Sequence, residues 1–547
     1  MTARRALLVT AAVIAVAWLV VIVVWNEAPF ALTFDDAYYY FGIARNVADG
    51  HGSTFDRINS TNGYHPLWLG LSVPFFAAGL DGMAAVRVLL AFQMLMYGAA
   101  FLLVADSVGR AVGSWAAVVR RRADDGAARW CTVIVVVVFA LLVANPFVVK
   151  VFVNGLESAV VLVVDALLLW VVLRSMPAAS PGWIDGRSSR WRLGIGALLA
   201  VAFLARTDAV LLVACLGLWV LFDAWPLSAA RVRGLLELFG PVAVTAAVYL
   251  LLNWMAFDTP MQVSGLVKQA HLDGGRILAG FGVLAAAGLV FWGSFRNHRR
   301  APTHTRLPLV TSFLRRTGWF AAFSIVLIGY YSVLQTQQWL WYYAPAVLYG
   351  VWLLTLLVAD FVSSALVEAE PERSVVRTLG PIALLLIAPF LVAAVLQTRV
   401  FVDPELRSIQ LANRDAGVWI SENLPDEAVL ASWDAGVVGY FSERRVVNLD
   451  GVVNSLAWHR AAERGETAAF LRDAGVGWIV NHGADVNGRD EAIDAFIAGQ
   501  FGQAALDGST IERTWPFEFS GVTTGSAGTR APGDAPQAVF LYQLPTL

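Results

Sequence analysis

Residues 32–51, LTFDDAYYYFGIARNVADGH, set two adjacent carboxylates, Asp35 and Asp36, ahead of three tyrosines, just past an apolar N-terminal segment. A carboxylate can take the proton of a hydroxyl as its oxygen attacks a carbon, and a second negative charge steadies cationic character at that carbon. The same chemistry needs cations where an anionic group departs. Basic residues do lie where apolar runs end: Lys150 with Glu157 in KVFVNGLES, Arg206 with Asp208 in LARTDAV, Lys268 in FDTPMQVSGLVKQAH, and His65 in TNGYHPLW. Asp35 and Asp36 are therefore the candidate catalytic acids, and Lys268, Arg206 and His65 the candidates for holding a phosphate. Tyr39, Glu157, Asp208 and Tyr342 (in QTQQWLWYY) are candidates for other substrate contacts. Taken singly, each has a plainer reading as a helix cap or a snorkelling side chain. Their recurrence in neighbouring loops is what argues for a site. A divalent ion, Mg2+ or Mn2+, bridging Asp35, Asp36 and a phosphate is compatible with these residues.

The elements that must position these residues are membrane helices. Of 547 residues, 58% are hydrophobic and 15% charged, against roughly 25% charged in a soluble domain. Windows such as 6–25, 157–173 and 379–397 carry almost no ionisable group over a membrane-spanning length. Arginine-rich clusters at 4–5, 119–129, 174–192, 231–233, 296–316 and 373–377 mark cytoplasmic loops, because basic residues resist translocation. Helices threaded between them number about eleven, near 6–25, 84–107, 131–148, 156–174, 192–206, 208–226, 235–255, 277–295, 318–334, 343–366 and 378–397. An odd count puts the N-terminus in the cytoplasm and the C-terminus outside. The stretch 66–80 is then a re-entrant or interfacial helix. Residues 26–80 form the first outer loop, whose helix after Asp35 shows an apolar stripe (Ala37, Phe41, Ala44, Ala48) suited to the membrane surface.

After residue 398 the composition turns polar, and strand-like runs (AVLAS, RRVVNL, GWIV, AVFLYQL) alternate with helical ones. The expected organisation is a transmembrane domain, 1–398, followed by an extracytoplasmic α/β domain, 399–547. Cys131 and Cys215 both sit in apolar runs, which argues against a disulfide framework or a cysteine-based metal site. A net charge near zero offers nothing to nucleic acid.

The motifs FDDAYYYFGIARNVADGHGSTFD, NGYHPLW, NGLES, LARTDA and WYYAP resemble those of GT-C fold membrane glycosyltransferases. That superfamily includes protein O-mannosyltransferases, lipid A aminoarabinose transferases and actinobacterial arabinofuranosyltransferases. The DDAY…NGYHPLW variant is similar to an arabinofuranosyltransferase-like bacterial branch. The resemblance implies transfer of a sugar from a polyprenyl-phosphate donor to an extracytoplasmic glycan, lipid or protein acceptor. It implies Asp35, the first acid, as the usual base, with His65 at the position of a basic residue before the PL dipeptide. It also covers ASWDAGVVGYFSERRVVNLDGVVN (431–454) in the appended domain, where Asp434 and Asp450 have a turn reading. The competing reading is a transporter or lipid flippase, whose pathway would use a mid-span acid such as Asp165.

Overall fold

The computed structural model describes residues 2–367 and 405–545 apart from 123–124, 177–181, 269–272, 300–307, 336–337, 487 and 518–536, with isolated positions between 368 and 404. The chain opens with α1 (Ala3–Val24), the short α2 (Ala28–Leu32), α3 (Asp35–Ala48) and α4 (Pro66–Ala77). Then follow α5 (Gly82–Arg122), α6 (Asp125–Val143), α7 (Pro146–Phe152), α8 (Ser158–Ser175), α9 (Ser189–Ala205) and α10 (Val210–Asp223). The helical part continues through α11 (Ala229–Phe257), α12 (Val263–Val267), α13 (Gly274–Arg299), α14 (Pro308–Leu334) and α15 (Ala344–Val367).

Among the described residues, seven helices are long and apolar enough to cross a membrane. The number rises to eight if α6 and α7, bent by 53° at their junction, form one broken span. This is a multi-pass integral membrane protein. The junction bends because Asn145 caps the Phe147 amide and Pro146 opens a new helix. The count differs from the eleven expected in two places. Residues 192–206 and 208–226 correspond to α9 and α10, which have 17 and 14 residues, short of the roughly 20 that cross a hydrocarbon core. Their shortness has a local cause: the backbone turns extended at Arg206 (φ −153°, ψ 127°), and its guanidinium goes to Glu157 and Asp208. The expected span at 378–397 lies outside the described residues. The stretch 66–80 forms α4, a helix of only 12 residues.

The C-terminal part begins with the helix Glu405–Asn423 and is built on a five-stranded sheet of order β2-β1-β3-β5-β4. Its strands are β1 (Val429–Ser432), β2 (Arg445–Asn448), β3 (Trp478–Ala484), β4 (Thr510–Phe517) and β5 (Gln537–Gln543). The first three are mutually parallel through β1, and β3–β5–β4 run antiparallel. Four strands coincide with the expected runs. β4 was not expected, because its exposed, polar-rich face gives no continuous apolar signal.

Helix α3 departs from the membrane-surface expectation. Every residue from Ala37 to Asn46 is buried, because the α/β domain covers the face that the stripe leaves polar. Two glycines permit this packing. A Cβ on Gly436 would lie 2.2 Å from the Asp35 carbonyl oxygen, and one on Gly155, whose φ is +83°, would lie 2.5 Å from the Ala37 Cβ. Arg45 adds a hydrogen bond to the Tyr440 carbonyl (3.1 Å) and stacks on the Tyr440 ring. Thr61 donates to the Asn454 carbonyl at 3.0 Å. The first loop and the α/β domain are thus one packed layer over the end of the bundle.

Candidate active site

Asp35 and Asp36 are neighbours in sequence with different surroundings. Asp35 starts α3, and its two carboxylate oxygens accept the Gly436 and Val437 amides, each at 2.8 Å. These amides open the helix Ala435–Ser442, where partial positive charge and unpaired donors welcome an anion. Burial foremost, then the charge of Asp434, pushes Asp35 up to about 8, against the pull of the two amides. Tyr39, one turn on, also faces this domain. Its hydroxyl accepts the Ala435 amide (3.2 Å) and the Asn448 amide side chain (3.1 Å), and it donates to the Trp433 carbonyl.

Asp36 points the other way. Its carboxylate lies 3.9 Å from the Lys268 ammonium and its side chain is one-third exposed. Lys268, at the end of α12, donates to the Tyr342 hydroxyl at 3.1 Å and lies 5.7 Å from the centre of that ring. Burial raises the pKa of Asp36; Lys268 pulls it back, and Asp434 and Glu157 push it up again. Asp450, in the loop after β2, belongs to the same field. Burial first, with Asp36 and Asp434 adding to it, pushes it up to about 7 against the Val452 amide and Lys268. Asp434, in the loop after β1, lies 3.4 Å from His482. Sequence reasoning placed Asp434 and Asp450 in turns; the crossing of parallel strands brings those turns to the acids of the first loop.

The remaining candidates form a second, self-compensated cluster. Arg206, 4% exposed, grips Asp208 through Nε and a terminal nitrogen (2.8–3.2 Å), and its other terminal nitrogen meets Glu157. Tyr331 binds both Arg206 and Asp208, and Tyr40 donates to Glu157 at 3.0 Å. Two carboxylates thus surround one guanidinium. The expectation that Arg206 holds a phosphate meets a residue already neutralised, in a network whose rupture would leave buried charge costing about 3–5 kcal/mol. His65 joins this cluster through Gln262 (3.1 Å) and, at 3.8 Å, Glu157. Burial foremost lowers its pKa and Arg206 adds to that, against the pull of Glu157. The clusters meet where the Tyr342 ring stacks on Tyr331 at 4.2 Å, with the Arg206 guanidinium 5.4 Å from its centre.

Asp165 is 3% exposed and lines, with Arg206 and Asp208, a cavity of about 10 Å³. That is room for about one water molecule, not a pathway. Both Asp35 oxygens are engaged by amides, and among the described residues no three His, Cys, Asp or Glu side chains converge as a metal site. The described residues do not form a metal centre, and no step below uses one. The structure therefore presents one partly exposed carboxylate opposite one ammonium, walled by tyrosine and roofed by acidic loops of the α/β domain.

A family model described as a domain of unknown function, DUF8728, matches residues 404–534. No curated protein matches the chain. Among solved structures, the oligosaccharyltransferase AglB from Archaeoglobus fulgidus, in complex with an inhibitory peptide and a dolichol-phosphate, is similar over 93% of this chain and 72% of its own, with 13% identity and a TM-score of 0.45. ArnT from Cupriavidus metallidurans, bound to undecaprenyl phosphate, is similar over 97% of both chains, with 14% identity and a TM-score of 0.46. The arabinofuranosyltransferase AftD from Mycobacteria is similar over 99% of this chain and 40% of its own, with 14% identity and a TM-score of 0.44.

Proposed function

We propose that the protein is a membrane glycosyltransferase that moves a sugar from a polyprenyl-phosphate donor to an acceptor hydroxyl on the extracytoplasmic side. The observation that carries this reading is the pairing of a partly exposed Asp36 with Lys268 and Tyr342 beneath the α/β domain. Asp36 takes the acceptor proton while the acceptor oxygen bonds to the anomeric carbon. The bond from that carbon to the phosphate oxygen breaks, its electron pair stays on the phosphate, and the Lys268 ammonium faces the charge that develops there. The negative field of Asp36 and Asp450 favours the cationic carbon between the two events. Asp35 holds the roof in place rather than touching substrate, because its oxygens are bound by Gly436 and Val437. The motif resemblance, the arginine clusters and the domain order support the outer placement and the division into 1–398 and 399–547.

The test is sugar transfer from radiolabelled polyprenyl-phosphate sugars in membranes holding the wild-type chain or Lys268→Ala. Wild-type transfer that falls roughly 100-fold in Lys268→Ala, within the range for losing one stabiliser of transition-state charge, is the expected result. Equal transfer by both would remove Lys268 from the mechanism.

A further inference from the structure

Helix α12 brings Lys268 to Asp36, yet α12 has little in itself to hold it there. It has five residues, Val263–Val267, too few to persist without outside contacts. Among the apolar side chains of this stretch, Met261 and Leu266 are exposed while Val263 is buried. One buried valine does not fix the segment that runs from the end of α11 to Lys268.

Two buried amide side chains do. Asn62, in the NGYHPLW stretch of the first loop, is 2% exposed. Its NH2 group donates to the Met261 carbonyl at 3.1 Å and to Oδ1 of Asn253, on α11, at 2.9 Å. Its own Oδ1 accepts the Val263 amide at 3.0 Å. Both hydrogens and the oxygen of the Asn62 amide are thus engaged, and they grip the chain on either side of Gln262. Gln262, itself buried, reaches back to the same loop. Its Nε2 donates to the Tyr64 carbonyl and meets Nδ1 of His65 at 3.1 Å, and its Oε1 accepts the Thr207 hydroxyl at 3.3 Å. The two amides form a reciprocal clamp between the first loop and the entry to α12.

The clamp lies at one end of α12 and Lys268 at the other. Five helical residues rise about 7.5 Å, so a shift at Val263 is carried to the ammonium. On its far side the same stretch of loop bonds the α/β domain, where Thr61 donates to the Asn454 carbonyl in the loop that holds Asp450. We infer that Asn62 and Gln262 are the positioning residues of the candidate site, their paired amides holding α12 so that Lys268 stands opposite Asp36. Both act through Lys268 rather than on the substrate. The consequence for sugar transfer rests on the glycosyl-transfer reading; the placement of Lys268 does not.

The test uses the fact that Lys150 and Lys268 are the only lysines of the sequence. Full-length wild type, Asn62→Leu and Gln262→Met in detergent are reductively methylated with isotope-labelled formaldehyde, and the rate at each lysine is read by peptide mass spectrometry. Both replacements keep the bulk of the side chain and add no charge. Lys268 should react roughly ten-fold faster or more in each variant, as for the loss of two or three hydrogen bonds from a local opening. Lys150, buried on α7, should react at its wild-type rate. An unchanged rate at Lys268 overturns the clamp, and so does an equal rise at both lysines, which is general loosening. In transfer, Asn62→Leu should move the midpoint of the pH profile upward, as Lys268→Ala does, and add no further shift when combined with Lys268→Ala. A midpoint that stays in place, or shifts that add in the double variant, would overturn the positioning role. Because methylation is read without transfer, wild-type methylation in Asn62→Leu beside lost transfer in Lys268→Ala would sink this inference and leave the glycosyl-transfer reading standing.

Discussion

Asp36 faces Lys268 across 3.9 Å, whereas Asp35 faces the backbone of the α/β domain. One residue along a helix is a rotation of about 100°, enough to send one acid to the α/β domain and the other toward Lys268. The pair was legible as chemistry in LTFDDAYYY; which acid does what was not, since that depends on Gly436, four hundred residues away in sequence. Arg206 teaches the converse. Its charge amid apolar runs was plain, but its two carboxylate partners come from different segments, so its neutralisation needed the fold. For Asp36 a pH prediction follows. A base must be ionised, and burial raises this carboxyl, so transfer should fall as pH drops through a midpoint above the ordinary aspartate value of 3.8. Lys268 opposes that rise, so Lys268→Ala should move the midpoint of its residual activity to higher pH. A profile flat down to pH 4 would contradict the assignment.

Helix α3 is the element on which the account turns. Its pattern announced a helix, and the helix is there, but the same pattern placed it on the membrane surface because the stripe alone says only that one face is apolar. The other face is covered by the helix Ala435–Ser442, whose two amides bind Asp35 and whose residues pack on Tyr38 and Tyr39. This contact is tight enough to forbid a side chain. Gly436→Ala sets a Cβ against the Asp35 carbonyl, so the roof must lift. We expect a variant that still inserts and keeps its helix content, exposes the first loop to limited proteolysis, and loses transfer. Protease resistance equal to wild type would show that the roof tolerates the shift. The α9–α10 pair makes the same point about apolar runs: hydropathy registers two candidate spans, while the turn at Arg206 that shortens both is set by tertiary ion pairs.

For the whole molecule, the order of bundle first and α/β domain second was legible because composition changes sharply near residue 399 and strands alternate with helices after it. How the two parts meet was not. The loops after β1 and β2 read as ordinary turns, yet the parallel pairing of β1 and β2 sends both loops to the same end of the sheet, where Asp434 and Asp450 enter the field of Asp36. The candidate site is thus shared: the first loop brings Asp36, α12 brings Lys268, the segment before α15 brings Tyr342, and the α/β domain brings Asp434 and Asp450. The measurement that tests this most directly is transfer from a radiolabelled polyprenyl-phosphate sugar by Asp36→Asn in wild-type-like membranes, with melting temperature read in parallel. The account predicts a loss of roughly 100-fold or more, the usual contribution of a general base, at an unchanged melting temperature. Transfer at the wild-type rate by Asp36→Asn would contradict it.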